Sequence, residues 1–339
     1  MKDPQSFWKF FLLTPLLCTA ACAEPDTSIG AFCEFVETSS TATTKAAITS
    51  TTAKEICNEE AASIYESPTE RRHVEVQTLD YGRAINACRL VLQEQGEDTR
   101  TRYQLARALV AKSRVENPDL MSSLADWEIA GSLEDSPLGE ALAIFSELSE
   151  EGHGNSMAWI SAVTRDRSLL DQAYSVGSLR ALQGVFIACV SQGRPIVPRC
   201  SQLISEVLER SEPNSMFQLA KHNALVALDA EEDQLAEITS ETIEILERSA
   251  GYGEKNSIAA LLSIYDPYSI PGVSFGGVEK SNAQRFWFWM KDGYSSDNLF
   301  AIHLALQILS AHDESYERCE NVLRRRQSDL FEALKPIPR

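Results

Sequence analysis

Apolar positions recur at helical spacing over most of the chain. Between residues 80 and 96 they fall at Ile85, Cys88, Val91 and Leu92, the i, i+3, i+6, i+7 spacing of one helix face. Residues 99–112 repeat the pattern with Tyr103, Leu105, Ala106, Leu109 and Val110. The same periodicity predicts helices over 137–150, 201–210, 241–248, 282–291 and 313–334. Alternating β-branched stretches are scarce; the short run 74–78 reads as an extended connector. The fold class this predicts is all-α. The pattern fails over residues 37–53, which are rich in Ser, Thr and Ala and nearly free of large apolar groups. Such a stretch cannot bury enough surface to offset its ordering entropy. We therefore expect residues 24–53 to form a poorly ordered Ser/Thr-rich linker ahead of a helical body that starts near residue 54.

The first residues carry a compartment signal. Lys2 and Lys9, partly offset by Asp3, flank an apolar run over 10–17 broken only by Thr14 and Pro15. That run is too short to cross a bilayer. Ala21-Cys22-Ala23 fits a signal-peptidase site, so residues 1–23 read as a secretory leader and the protein as periplasmic or secreted. Cys22 supports a second reading. Thr19-Ala20-Ala21-Cys22 resembles a bacterial lipobox, with Thr where Leu is usual, and would make the chain an envelope lipoprotein anchored at Cys22. No later stretch holds eighteen consecutive apolar residues, so no membrane span is expected.

Charge narrows the partners. The chain has 339 residues, 49 acidic and 31 basic, for a formal net charge of −18. Removing a leader of net +1 leaves −18 − 1 = −19. Nucleic acid and anionic lipid are disfavoured, and a basic peptide or protein surface is favoured, with affinity that weakens as salt rises. A hydrophobic share of 44% excludes wholesale disorder.

Candidate chemistry is sparse. The five histidines include no pair three or four residues apart, so helical metal-ligand spacing is missing. His303 sits in a mostly apolar run and reads as a packed residue. The glycine fingerprints of phosphate-binding loops are not found, and residues 229–233 lack the glycine of a calcium loop. Gly272-Val273-Ser274-Phe275-Gly276 matches the nucleophile elbow of hydrolases, but the two prolines before it mark a loop and no parallel sheet is predicted to hold it. A Gly-rich repeat loop is the simpler reading. No catalytic residue, cofactor or metal is expected.

Internal repetition is the most informative feature. Asn-Ser-Met-Ala stands at 155–158, Asn-Ser-Met-Phe at 214–217 and Asn-Ser-Ile-Ala at 256–259, with Asp-Asn-Leu-Phe-Ala at 297–301. Each leading Asn or Asp is expected to cap the helix that follows. Positions 214, 256 and 297 are 42 and 41 residues apart, whereas 155 and 214 are 59 apart. Helix-turn-helix units recurring near such a period are the mark of an α-solenoid.

These units resemble Sel-one-like repeats (SLR), a variant of the tetratricopeptide repeat. Ala260, Leu261 and Tyr265 match its first helix, Gly276-Gly277-Val278 its loop, Ala283 and Phe286-Trp287 its second helix, and Gly293 its closing glycine. The Asp usual after Gly-Val is missing, and Met290-Lys291-Asp292 replaces the usual Ala pair. Residues 57–112 resemble the segment that precedes such arrays in exported proteins, and the run 102–109 resembles a tetratricopeptide first helix. The resemblance implies a right-handed α-solenoid of antiparallel helix pairs that binds proteins or peptides. It divides the body into an N-terminal helical pair region over 54–112, degenerate repeats over 113–312, and a C-terminal capping helix and tail over 313–339.

Six cysteines lie beyond the leader, and an even number in an exported chain points to disulfides. No Cys-x-x-Cys pair occurs, which argues against zinc-ribbon and thioredoxin readings. In the repeat framework Cys57 would bridge to Cys88 and Cys189 to Cys200, with Cys33 and Cys319 the remaining pair among fifteen connectivities. Aromatic residues supply the candidate partner anchors. Trp287 and Trp289 lie in an all-aromatic helix segment, either buried between neighbouring pairs or lining a groove. Tyr268 and Phe275 lie in the 266–279 loop, which either folds over its own helices or presents apolar groups to a partner. The expected function is a non-catalytic, disulfide-stapled scaffold for protein interaction. The alternatives are an envelope enzyme on the same scaffold and a structural lipoprotein.

Overall fold

The computed structural model describes residues 27–45, 52–63, 65–66, 80–96, 98–116, 136–190, 200–268, 270, 275–276, 278, 280–311 and 316–334. Among them the chain is all-helical, with fifteen helices and a single isolated bridge between Phe275 and Val278. The helices are α1 (Thr27–Lys45), α2 (Ala53–Ala61), α3 (Tyr81–Gln95), α4 (Thr99–Glu116), α5 (Pro137–Glu150), α6 (Gly154–Thr164), α7 (Arg167–Ser175), α8 (Leu179–Val190), α9 (Ser201–Arg210), α10 (Pro213–Ala227), α11 (Glu232–Gly251), α12 (Lys255–Tyr265), α13 (Ala283–Ser295), α14 (Leu299–Ser310) and α15 (Glu317–Leu334). From α2 onward each helix packs against the next in sequence. In addition α6 meets α8, α8 meets α10 and α12 meets α14. None of these helices is long and apolar enough to cross a membrane. The expected leader over 1–23, Cys22 and the connector over 74–78 lie outside the described residues.

Five junctions share one geometry. A left-handed residue stands at Gly152, Gly177, Ser211, Gly253 and Asp297. The next residue donates its amide back to a carbonyl five positions earlier: His153 to Leu148, Ser178 to Ala173, Glu212 to Val207, Glu254 to Ser249 and Asn298 to Gly293, at 2.8–3.3 Å. This double-back satisfies carbonyls that a helix end leaves without partners. The same residue then starts the following helix. Glu212 accepts from the amides of Asn214 and Ser215, and Glu254 from Ser257. Asn298 accepts from Phe300 and Ala301.

This corrects the expected caps. Asn155, Asn214 and Asn256 lie two residues inside their helices, and the acid or histidine before them takes the cap position. At the fourth site the cap is Asn298, not Asp297. The long interval between 155 and 214 also resolves. The turn at Gly177-Ser178 divides it, and Ser178 starts α8 without an Asn-Ser signature.

The Ser/Thr-rich linker expected over 24–53 is helix over Thr27–Lys45. Its signal was available: Ile29, Phe32, Cys33 and Val36 stand at i, i+3, i+4, i+7 and are all buried. They pack α1 against α13 and α15, near the far end of the chain. Phe32 meets Trp287 with ring centroids 5.2 Å apart, and Phe35 meets Tyr294 at 6.0 Å. Glu37 pairs with Arg318 of α15 at 3.2 Å. The expectation failed because the apolar stripe occupies only the first half of a helix whose second half is Ser and Thr.

The six cysteines beyond residue 23 stand in three pairs: Cys57–Cys88 and Cys189–Cys200, as the repeat framework implies, and the remaining Cys33–Cys319. Cα atoms are 5.3 Å apart for Cys33–Cys319, 4.9 Å for Cys57–Cys88 and 5.9 Å for Cys189–Cys200. The pairs are compatible with an oxidising compartment. Cys33–Cys319 joins α1 to α15 across 286 positions.

Two glycines of the resembling repeat mark close approaches. A Cβ on Gly293 would meet that of Ala301 at 2.5 Å, and Gly276, at φ 61°, would place one 2.4 Å from the carbonyl oxygen of Ala224. Gly276 thus seats the 275–278 turn on α10.

Gly293→Ala is expected to lower unfolding free energy by roughly 1–3 kcal/mol, and Gly276→Ala by at least as much, in urea titrations. Gly30→Ala, where an added Cβ meets nothing within 4 Å, is expected to be neutral or stabilising by about 0.5–1 kcal/mol. Equal losses at all three would refute the close-approach argument. Replacing Cys33 and Cys319 together by Ala is expected to cost about 2–5 kcal/mol. It should also accelerate amide exchange in α1 while leaving α3 and α4 protected.

Candidate functional site

The buried side chains form two main clusters. One joins Cys57 and Ala61 of α2 with α3, α4, α5 and part of α6; the other runs from α8 to α15 and includes α1. Tyr65, which follows α2 closely, packs against the second cluster. It is delivered there by a turn built on one buried arginine. Arg107 of α4 donates through Nη1 to the carbonyl oxygens of Ala61 and Ala62, the latter at 2.6 Å, and so closes the C-terminus of α2. Beyond it the amide of Ser63 donates to Glu66 Oε2 at 3.0 Å and the amide of Glu66 to the carbonyl of Ser63 at 3.0 Å.

Tyr65 meets three helices, α6, α8 and α10. Asn155 Nδ2 of α6 donates to its main-chain carbonyl at 3.0 Å. Its hydroxyl donates to Gln183 Oε1 of α8 at 2.6 Å and receives Asn214 Nδ2 of α10 at 3.4 Å. The Arg180 guanidinium of α8 lies 5.4 Å from its ring centroid and 3.8 Å from that of Trp159. Trp159 in turn stacks on Phe145. Two of the three repeated asparagines therefore converge on one residue. They can do so because the preceding His153 and Glu212 hold the cap positions. Asn155 is fixed from behind by the Ser178 hydroxyl, which donates to its Oδ1 at 2.8 Å. The third, Asn256, instead donates to Glu254 Oε1 at 2.7 Å.

The electrostatics here oppose those of the whole chain. Arg100, Arg107 and Arg180 lie around Tyr65 and Glu66, and burial lowers the pKa of Arg107. Glu66 stands 3.5 Å from Arg100, with Arg107 and Gln104 also close. Glu212 is the second carboxylate facing Tyr65. Burial pushes the Glu66 carboxyl up to about 7 against the pull of Arg107 and Arg100, and pushes the Tyr65 phenol up to about 12. Tyr103 is fully buried beside them, its ring 4.9 Å from that of His153, and burial lowers the His153 pKa.

The aromatic candidates are placed elsewhere. Trp287 and Trp289 are each 5% exposed and belong to the second cluster, Trp287 being covered by Phe32 of α1. Tyr268 and Phe275 are half-buried; Tyr268 lies edge-on to Phe286 and Trp287, and Phe275 faces Phe217. Of the aromatic run in α13, Phe288 is the exposed member, at 56%. His303, expected to be packed, is exposed beside Gln307 and Gln327. Ser274 lies outside the described residues. Sequence reasoning found Asn155 and Asn214 but assigned them to capping. Tyr65, Arg107, Arg180 and Gln183 carry no motif, and only the tertiary contacts reveal them.

Scans of protein-family models, of curated proteins and of solved structures return no match to this chain.

Glu66 gives the site a pH signature. Its folded value of about 7 lies above the ordinary 4.5, so the fold favours the protonated carboxyl. The stability this contributes is complete below pH 4.5 and is lost as pH rises through 7. Burial raises Glu212 and Glu254 in the same direction. The unfolding free energy of wild type minus that of Glu66→Gln is expected to fall by about 3 kcal/mol between pH 4.5 and 8. A flat difference in denaturant titrations across that range would contradict the burial argument.

Proposed function

We propose that this protein is an exported, disulfide-stapled α-solenoid of SLR or tetratricopeptide type that binds a partner polypeptide and performs no catalysis. Five like turns support the repeat reading, since each unit packs on its neighbours and α6, α8 and α10 meet in succession. Three cysteine pairs support an oxidising destination. The observation that carries the binding role is the convergence at Tyr65. Asn155, Gln183, Asn214 and Arg180 hold a non-helical segment by its carbonyl, ring and hydroxyl.

Net charge favours a basic partner for the outer faces. At this site three arginines against two carboxylates favour an acidic or aromatic one, and in our reading the local field prevails at contact distance.

Crosslinked pulldown from the protein's own cells tests the assignment. Arg180→Ala combined with Gln183→Ala, with unchanged melting, is expected to reduce the captured partner about tenfold. Full retention would remove this surface from consideration. Loss on Phe275→Ala instead would move the site to the 266–279 loop.

A further inference from the structure

We propose that Tyr65-Glu66 is an internal occupant of the partner's subsite, and that the partner presents a peptide turn with a tyrosine followed by an acidic residue. This deepens the binding function proposed above and rests on it.

Four observations lead here. First, Tyr65 lies outside any helix, and its side-chain partners are remote in sequence, at separations of 118 for Gln183 and 149 for Asn214. Second, the contacts read a peptide feature by feature. Asn155 takes a main-chain carbonyl, Gln183 and Asn214 take a phenol, Arg180 covers an aromatic face, and Arg100 and Arg107 face the following carboxylate. Third, the same Ser-Ile-Tyr-acid string recurs at 263–266 and makes none of these contacts. There Tyr265 donates to Glu247 at 2.8 Å, and Asp266 accepts from the amides of Tyr268 and Ile270. The string alone does not dictate the docking; the groups contributed by α6, α8 and α10 do. Fourth, Glu66 is held at a dehydration cost, so release returns its carboxylate to water. A segment held this way competes with any peptide in trans, and the apparent affinity falls by the fraction of molecules in which the subsite is open.

The experiment uses the full oxidised chain and a fluorescein-labelled octapeptide with the sequence of residues 61–68, measured by polarisation. Wild type is expected to bind it weakly. The double variant Tyr65→Ala with Glu66→Ala is expected to bind at least tenfold more tightly. Adding Asn155→Ala and Arg180→Ala to that variant is expected to reverse the gain. Replacing the peptide's tyrosine with alanine is expected to weaken binding tenfold or more. Should the double variant fail to fold, Tyr65→Phe decides. It keeps the ring beside Arg180 and removes only the hydroxyl bonds, and is expected to raise peptide affinity about fivefold.

If Tyr65 only stitches two cores together, folded variants gain no affinity for the peptide, and that result overturns the proposal. So does equal binding of the tyrosine-to-alanine peptide. If the peptide fails while Arg180→Ala with Gln183→Ala still abolishes partner capture, this inference falls and the scaffold function stands.

Discussion

A helix that ends must do something with its last carbonyls, and in this protein that constraint shapes the whole body. At five junctions one left-handed residue turns the chain so that the next amide bonds back five positions. Because that same residue begins the following helix, no slack remains between the two. The turn fixes where each helix starts and which of its residues face the neighbours. Where the left-handed residue is not glycine, its side chain is braced: Ser211 receives Arg248 at 2.6 Å, and Asp297 receives Arg326 Nε at 2.7 Å. Such partners offset the roughly 1–2 kcal/mol that a side chain costs in this conformation.

The position of the cap then decides the chemistry of the interior. An asparagine at the cap would spend its side chain on the first-turn amides. With His153 and Glu212 in that place, Asn155 and Asn214 lie two residues in, and their amides reach across to Tyr65. The carboxylate left at a buried cap is costly, which is why burial raises both Glu212 and Glu254. The acidity of the chain is a property of its surface. The seam between the two clusters is locally cationic, and Glu66 is drawn into it.

The far end is closed by the chain's own beginning. Helix α1 covers Trp287 through Phe32, and its cysteine bonds to α15. Helix α1 thereby covers apolar surface of α13 and α15. The all-aromatic face of α13 is therefore core on the side of Trp287 and Trp289, with Phe288 left outside.

The sequence alone determined what depends on neighbours along the chain. The all-helical class and the bounds of α5 and α9 follow from periodicity over a few residues, where i, i+3 and i+4 spacing is decisive, and the recurrence of the Asn-Ser tetrapeptides is read directly from the string. The Cys57–Cys88 and Cys189–Cys200 pairings came from resemblance to a repeat framework and stand in the structure, whereas Cys33–Cys319 was only what remained and rests on the packing of α1 against α15. What the tertiary structure decided depends on partners remote in sequence. The i, i+3, i+4, i+7 stripe of α1 was legible at Ile29, Phe32, Cys33 and Val36, but that α13 and α15 are the surface it meets was not. Asn155 and Asn214 bond to Tyr65 instead of capping because a turn's geometry, invisible in composition, moved the cap by two positions. Tyr65 acquired its role from three helices that begin some 90 to 150 residues later. Local periodicity encodes which segments form helices; only their packing encodes which polar groups are left to face one another.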